Sequence, residues 1–466
     1  MSHSHRWGPL IAAGALCASC AVGPDYERPA VDVPASYGEK PAEPAAGAPP
    51  LDTEWWSLFG DPTLTALEVQ ARDANQDLQL AVARVAEARA TARIANSEFY
   101  PTVTLDPAYR TLRQSPNRSG STSATGVYTQ EVIVPFDLSY EIDLWGRVRR
   151  TFESATAQAH ASESDYRVVA LTLAGDVAAQ YFAIRSLDAQ SATLADSIGI
   201  FGDQVRLVEA RFRAGLVSEL DVAQARTQLS TALARQADVQ RQRAEAEHAL
   251  AVLCGRPASD FSVAVQPLDL APPEIPAGVP SELLEHRPDV AEAEQNLVAA
   301  NAEVGVAEAL FFPQVRLTGA AGLDSASFGD LLKWESRIWA LGPSISAPIF
   351  EGGRLRANLS GAQARYEEHL ATYRQTVLGA FRDVEDALVG VRLRAVQGDA
   401  VGDAVTAAAR AVAVSRSQYD HGIADYLQVI VAQSAHLELE LQAAQVQQQR
   451  LDSTVQLVKA IGGGWQ

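Results

Sequence analysis

Two periodicities divide the chain. In "QEVIVPFDLSYEIDLWG" (130–146) apolar residues return at every second position, with Val132, Val134, Phe136, Leu138, Tyr140 and Ile142 on one face. Glu131, Asp137, Ser139, Glu141 and Asp143 occupy the other, with Ile133 and Pro135 as exceptions. Alternation of this length predicts a β-strand. "PTVTLDPAYR" (101–110) repeats it, setting Val103, Leu105 and Tyr109 against Thr102, Thr104, Asp106 and Arg110. "PQVRLTG" (313–319) and "IWALGPSISAPIF" (338–350) supply two more strands. An apolar face backed by a carboxylate-rich one fits a membrane β-barrel with a wet lumen, lined by Asp137, Glu141 and Asp143. Trp145, Trp334 and Trp339, near strand ends, suit an interfacial aromatic belt.

Elsewhere the period is helical. From Val222 an apolar seam runs through Ala225, Leu229, Ala232, Val239, Ala246, Leu250 and Leu253 in heptad-like steps, broken by Gln236 and Arg243. A counterpart seam runs Val429, Ala432, Leu439, Ala443, Val446 and Leu457, with Arg450 where the first has Arg243. Residues 147–254 and 349–466 contain no proline. Each stretch is long enough for two antiparallel helices of ~50 residues, ~75 Å at 1.5 Å per residue.

The seams belong to an internal repeat. "VEARFRAGLVSELDVAQAR" (208–226) matches the region around "VSRSQYDHGIADYLQVIVAQ" (414–433), with Gly215 opposite Gly422 at a separation of 207. The same separation relates Arg147 to Arg354 and Gly255 to Gly462, whereas Pro101 and Pro313 are 212 apart. The chain is a duplicated half-molecule, each half running helix, two strands, two long helices. Residues 51–255 form the first repeat, 256–280 a linker and 281–466 the second. Four strands cannot close a membrane barrel, and open edges in lipid leave amides unpaired at ~2–7 kcal/mol each. The chain must therefore assemble around an axis. Three copies give twelve strands and room for a channel, whereas two give eight and a filled interior.

The N-terminus names a compartment. His3, His5 and Arg6 precede the short apolar run Leu10–Leu16, the form of a signal peptide over residues 1–19. Ala18 and Ser19 lead into Cys20 as in a bacterial lipobox, although Cys17 stands where leucine is usual. Cys20 then becomes the lipidated first residue of the mature chain, carrying palmitate among its acyl groups, and the proline-rich residues 20–50 form an extended strap. Ala21, rather than aspartate, follows the cysteine, which points to the outer membrane. Loss of Arg6 leaves 37 basic and 57 acidic side chains, a formal charge of −20 that argues against nucleic acid. Cys254 alone remains as a thiol, and no His/Cys clustering marks a metal site. No catalytic constellation emerges either. "HRPD" (286–289) has the form of a helix start, and "EGGR" (351–354) marks a strand-to-helix turn.

"CAVGPDYERP" (20–29), "EWWSLFGDPTLTALEVQA" (54–71), "RFRAGLVSELDVAQAR" (211–226) and "EIPAGVPSELLEHRPDV" (274–290) follow in an order that resembles the outer membrane factor (TolC-like) family. The closer likeness is to its lipoprotein branch, which serves resistance–nodulation–division efflux pumps. The resemblance implies a homotrimer with a twelve-stranded outer-membrane β-barrel, a long α-helical barrel reaching into the periplasm, and a mixed equatorial belt. It implies a passive exit duct without a cofactor, docked on a periplasmic adaptor and an inner-membrane transporter. Docking falls to the hairpin tips, around Gly215, Leu216, Ser218, Gly422 and Ile423. At the periplasmic gate it pairs Asp221 with Tyr419 of the neighbouring hairpin and makes Leu427 an apolar ring residue. Gln428 and Val431 stand where relatives carry pore-narrowing aspartates, and Ala424 replaces an arginine. Two other readings are a type I protein-secretion exit and a non-conducting structural envelope lipoprotein.

Overall fold

The computed structural model describes residues 21–39, 52–117, 119, 127–275 and 286–464. Residues 1–19, expected to be a signal segment, Cys20 and residues 40–51 lie outside the described residues. After a 3-10 turn at Trp55–Phe59 come α1 (Pro62–Ala74), α2 (Gln76–Ser97), β1 (Thr102–Leu105), β2 (Ala108–Gln114) and β3 (Val127–Ile142). α3 (Arg147–Arg213) and α4 (Glu219–Leu253) complete the first half. The second half repeats the order with α5 (Pro288–Ala309), β4 (Gln314–Ser325), β5 (Arg337–Ser346), α6 (Arg354–Asp420) and α7 (Tyr426–Ala460).

The duplication extends to length. α2 and α5 have 22 residues each, α3 and α6 have 67, and α4 and α7 have 35. The even division into ~50-residue helices expected from proline-free length is therefore corrected. The turns come late, at Gly215 and Gly422, because only there does a left-handed glycine (φ +73° and +75°) precede a helix-capping side chain. One 18-residue stretch of α3 is apolar enough to cross a membrane by length and composition, and half of it is buried within the protein.

The repeats are units of sequence, not of packing. One compact unit takes the described residues up to Ala30, Val85–Ser162 and Ala293–Tyr373; the other takes Val31–Arg84, Glu163–Glu292 and the chain from Arg374. Both units draw on both halves.

The first unit holds the sheet, ordered β1/β2–β3–β4–β5 and antiparallel throughout. β1 and β2 pair with β3 in one continuous register: Leu105 faces Phe136 and Ala108 faces Ile133. Pro107 and Pro135, neither with an N–H to give, interrupt the ladder between them. They are one strand, so the sheet has the four strands expected. The N-terminal strap is bound along this unit. Val22 N–H donates to the Trp145 carbonyl at 3.0 Å, and Asn301 Nδ2 donates to that of Pro24 at 3.0 Å. Arg150 reaches Asp25 at 2.8 Å, and Arg28 reaches Glu294 at 2.7 Å. Gly23 (φ +97°) lies so close to Gly305 that a β-carbon on it would sit 2.5 Å from the Gly305 Cα.

The second unit has the main core. Trp55 and Trp56, each 2% exposed, pack with Phe59 against Tyr181, Phe182 and Val177, and with Leu250, Val455 and Val458. The tryptophans are packing anchors. Asp61 caps α1, accepting from Thr63 N–H at 2.7 Å and from the Tyr181 hydroxyl. "HRPD" is a helix start: buried Arg287 grips Asp289 with two bonds and donates to the Ala460 carbonyl at 3.0 Å. The break in the first seam has a cause too. Arg243 turns to the buried Asp188 (2.6 Å), to Glu247 (2.9 Å) and to the Val263 carbonyl (2.7 Å).

Candidate functional site: a two-faced sheet and the hairpin tips

Register assigns each strand residue to a face, because directly paired residues of antiparallel strands point the same way. Val132, Val134, Phe136, Leu138, Tyr140 and Ile142 share a face with Val103, Leu105 and Tyr109. β4 adds Val315, Leu317 and Leu323 to it, and β5 adds Trp339, Leu341 and Ile345. The opposite face carries Thr102, Thr104, Arg110, Glu131, Asp137, Ser139, Glu141, Arg316, Thr318 and Asp324. An apolar sheet surface of this extent is unstable in water and natural in lipid. Trp334 and Trp339 are 73% and 82% exposed, as members of an aromatic belt are. Trp145 is not one of them. It stacks on Phe312 at 4.8 Å and donates its indole N–H to the Pro313 carbonyl at 2.7 Å.

The acidic lining is thinner than alternation alone predicts. Asp143 lies beyond β3 and accepts the Val148 and Arg149 N–H groups at 3.2 and 2.8 Å, so it caps α3 instead of extending the strand. Glu141 is on the polar face but its charge is balanced: Arg147 binds it through two nitrogens at 2.8 and 3.1 Å, and Arg316 stands 3.7 Å away. Glu131 pairs across the ladder with Arg110. Asp137, opposite Thr104 and Ala320, makes no ion pair among the described residues and, with Asp324 of the same face, is left to act on a lumen.

The tips repeat one another closely. After α3, Gly215 N–H bonds to the Phe212 carbonyl and Leu216 N–H to that of Arg211; after α6, Gly422 and Ile423 do the same to Tyr419 and Gln418. Ser218 then caps α4 and Asp425 caps α7. Val208, Val222, Ala225, Tyr426 and Val429 fill the space between the hairpins. Leu216 (73% exposed), Ile423, Leu220, Leu427 and Val431 are left outside as an apolar surface.

Asp221 and Tyr419 are not joined within the chain. Asp221 Oδ2 accepts from the Ser218 hydroxyl at 2.8 Å and its N–H at 2.9 Å, closing a capping box. The Tyr419 hydroxyl is buried without a hydrogen-bond partner among the described residues, while its ring packs on Tyr426 at 5.4 Å and under the Arg211 guanidinium at 5.0 Å. Burial, with Tyr419 and the Asp221 charge nearby, pushes the Tyr426 hydroxyl up to about 12. Gln428 gives its backbone N–H to Asp425 at 3.2 Å. Asp221→Ala should therefore loosen its own hairpin: loss of a cap costs ~1 kcal/mol, about fivefold faster amide exchange over the first turn of α4. Tyr419→Phe should leave that exchange unchanged; equal acceleration by both substitutions would restore a bond between the two residues.

Comparison with known proteins decides the family. The outer membrane efflux protein family model matches the chain twice, over residues 67–256 and 279–463. This chain belongs to the outer membrane efflux protein family. The toluene efflux pump outer membrane protein TtgI of Pseudomonas putida is 34% identical over 97% of this chain and 96% of its own. The pyoverdine export outer membrane protein OpmQ of Pseudomonas aeruginosa is 37% identical over 89% and 88%. The Campylobacter jejuni outer membrane channel CmeC superposes with a TM-score of 0.91 at 25% identity, covering 96% of both chains.

This efflux protein is thus an outer-membrane exit channel of the TolC-like fold, as its motifs imply. Its membrane sheet gathers Asp137 and Glu141 on one face but not Asp143. Its tips gather Gly215, Leu216 and Ser218 with the corresponding Gly422, Ile423 and Asp425. Sequence reasoning missed the arginines that balance Glu141, since Arg316 lies on a strand of the other half.

Proposed function

We propose that three copies of this efflux protein close a twelve-stranded barrel and form the passive exit of a tripartite pump for small molecules. One observation supports this above all: among the described residues, a four-stranded sheet has an apolar face, a polar face and two unpaired edges, as one third of a closed conducting wall would. The apolar tip residues Leu216 and Ile423, set beside Gly215, Ser218 and Gly422, offer the surface on which a periplasmic adaptor docks, above a resistance–nodulation–division transporter. Leu427 and Val431, exposed one helical turn apart on α7, together with Gln428, narrow the periplasmic end; Asp221 and Tyr419 act by holding the hairpin tips in shape. Small-molecule cargo is supported by relatives named for toluene efflux and pyoverdine export.

A lipid on Cys20 fits the path of the strap. Ala21, the next residue, packs on Gly146 between the end of β3 and the start of α3, where a β-carbon would lie 2.8 Å from the Ala21 methyl. Cys20→Ser should abolish palmitate labelling and leave assembly intact, because the sheet supplies its own membrane affinity; persistent labelling would refute the assignment. Planar-bilayer recording tests the duct itself. Purified protein should conduct, with larger steps after Leu427→Ala and Val431→Ala together. A protein that inserts yet never conducts, in wild-type or variant form, is a structural lipoprotein.

A further inference from the structure

The internal repeat carries information about a contact that a single chain cannot make. The offsets read from sequence are 212 residues for the strand that opens each half (Pro101 to Pro313) and 207 for the strand that closes it (Arg147 to Arg354). They reproduce the observed hydrogen-bond register. The first-half pair Thr102↔Ser139, moved by 212 and 207 respectively, becomes Gln314↔Ser346, which is the pair found between β4 and β5. Leu105↔Phe136 likewise becomes Leu317↔Pro343, again as found. The duplication therefore preserves pairing residue by residue, through a five-residue difference in length.

The third junction follows by the same operation. β3 pairs with β4 inside the chain, joining the closing strand of one half to the opening strand of the other. Moving β3 forward by 207 gives β5, and moving β4 back by 212 gives β1/β2. These are the two strands whose outer edges are unpaired among the described residues. We infer that β5 of one protomer pairs antiparallel with β1/β2 of a second copy in the register that places Leu341 opposite Thr111, Ser344 opposite Ala108 and Ile349 opposite Val103. The templates are Val134↔Leu323, Asp137↔Ala320 and Ile142↔Val315.

Two features of the exposed edges agree. The register keeps Leu341, Pro343 and Ile345 on the apolar face opposite Thr111, Tyr109 and Pro107, and sets Ser344 and Ser346 against polar-face residues; a slip of one residue would exchange the faces. It also extends β5 past Ser346. Ile349 and Phe350, 93% and 90% exposed in the single chain, come to lie against Val103 and Thr102 of the neighbour. Tyr100, 65% exposed, stands beside them where its counterpart Phe312 receives Trp145.

The inference rests on the reading of the sheet as one part of a closed barrel, and disulfide trapping separates the two. Full-length protein carrying Thr111→Cys with Leu341→Cys, or Ala108→Cys with Ser344→Cys, is oxidised in outer membranes. Directly opposed strand residues lie within disulfide reach, whereas partners two residues off do not. Both pairs should give covalently linked dimers and trimers. The slipped pairs Tyr109→Cys with Leu341→Cys and Arg113→Cys with Leu341→Cys should give monomers, as should each single variant; Cys254 is buried and free in every one. Linkage through a slipped pair, or failure of both in-register pairs in protein that runs as a trimer by size, overturns the register and leaves the trimer standing. Protein that is folded and monomeric by size overturns both.

Discussion

Arginine at position 136 should abolish insertion into the outer membrane, while arginine at 137 should be tolerated and change which ions pass. The two residues are neighbours near the middle of β3. Phe136 pairs with Leu105 and Ala321 on the apolar face, and Asp137 pairs with Thr104 and Ala320 on the polar one. An arginine facing lipid near the bilayer midplane costs ~2–4 kcal/mol, and the proposed homotrimer would carry the penalty three times. A lumen-facing arginine meets water and costs little. Asp137, like Asp324 on the same face, has no ion-pair partner among the described residues, so wild-type channels should prefer cations. Asp137→Arg reverses one ring of charge and should move the reversal potential toward anions, with Glu141→Gln having a smaller effect because Arg147 and Arg316 already offset that charge. Phe136→Arg found at wild-type levels in outer membranes, or Asp137→Arg missing from them, would reverse the assignment of faces.

What the sequence made legible depended on how far each residue had to look for its partner. The strands and their faces follow from a two-residue period that needs no knowledge of neighbours, and the repeat is a comparison of the chain with itself. Where sequence reasoning erred, a local interaction had displaced a remote one. Asp143 continues the alternation on paper but sits where a helix begins, and the N–H groups of Val148 and Arg149 claim it. Asp221 is also held locally within its own chain, by Ser218 three residues before it, in a capping box visible in "SELD". The helix lengths were misjudged because the absence of proline says only that a helix can continue. Gly199, Gly202, Gly398 and Gly402 are all absorbed into helices, and what ends them is glycine followed three residues later by a capping Ser218 or Asp425. Arg243 looked like a flaw in an apolar seam because its partner, Asp188, lies on the preceding helix, 55 residues back.

Removing the charge of Glu68 should stabilise the protein most where the solution is least acidic. Glu68 lies on α1, fully buried beside the core that holds Leu67, Ala71 and Cys254, and neither carboxyl oxygen has a hydrogen-bond partner among the described residues. Burial raises its pKa from 4.5 to about 9, against a weaker opposing pull from Arg72. The folded state therefore holds a proton that the unfolded chain releases above pH 4.5. Linkage fixes the sign: below pH 4.5 both states are protonated and the group is neutral to stability, and as pH rises toward 9 the unfolded state is progressively favoured. At pH 7 the loss is about 3 kcal/mol per chain, from 1.36 kcal/mol per pH unit. Glu68→Gln keeps the shape, carries no proton to lose and should flatten this slope. Denaturant midpoints of detergent-solubilised protein should differ little between wild type and variant at pH 4.5 and separate increasingly through pH 8, the variant being the more stable. The Cys254 thiol, pushed up to about 11 by burial and by Glu68, should stay unalkylated across the same range until the fold opens, so its labelling reports unfolding in both proteins. Parallel pH profiles would mean that Glu68 is ionised in the folded protein and satisfied by water, and that its burial carries no pH-dependent cost.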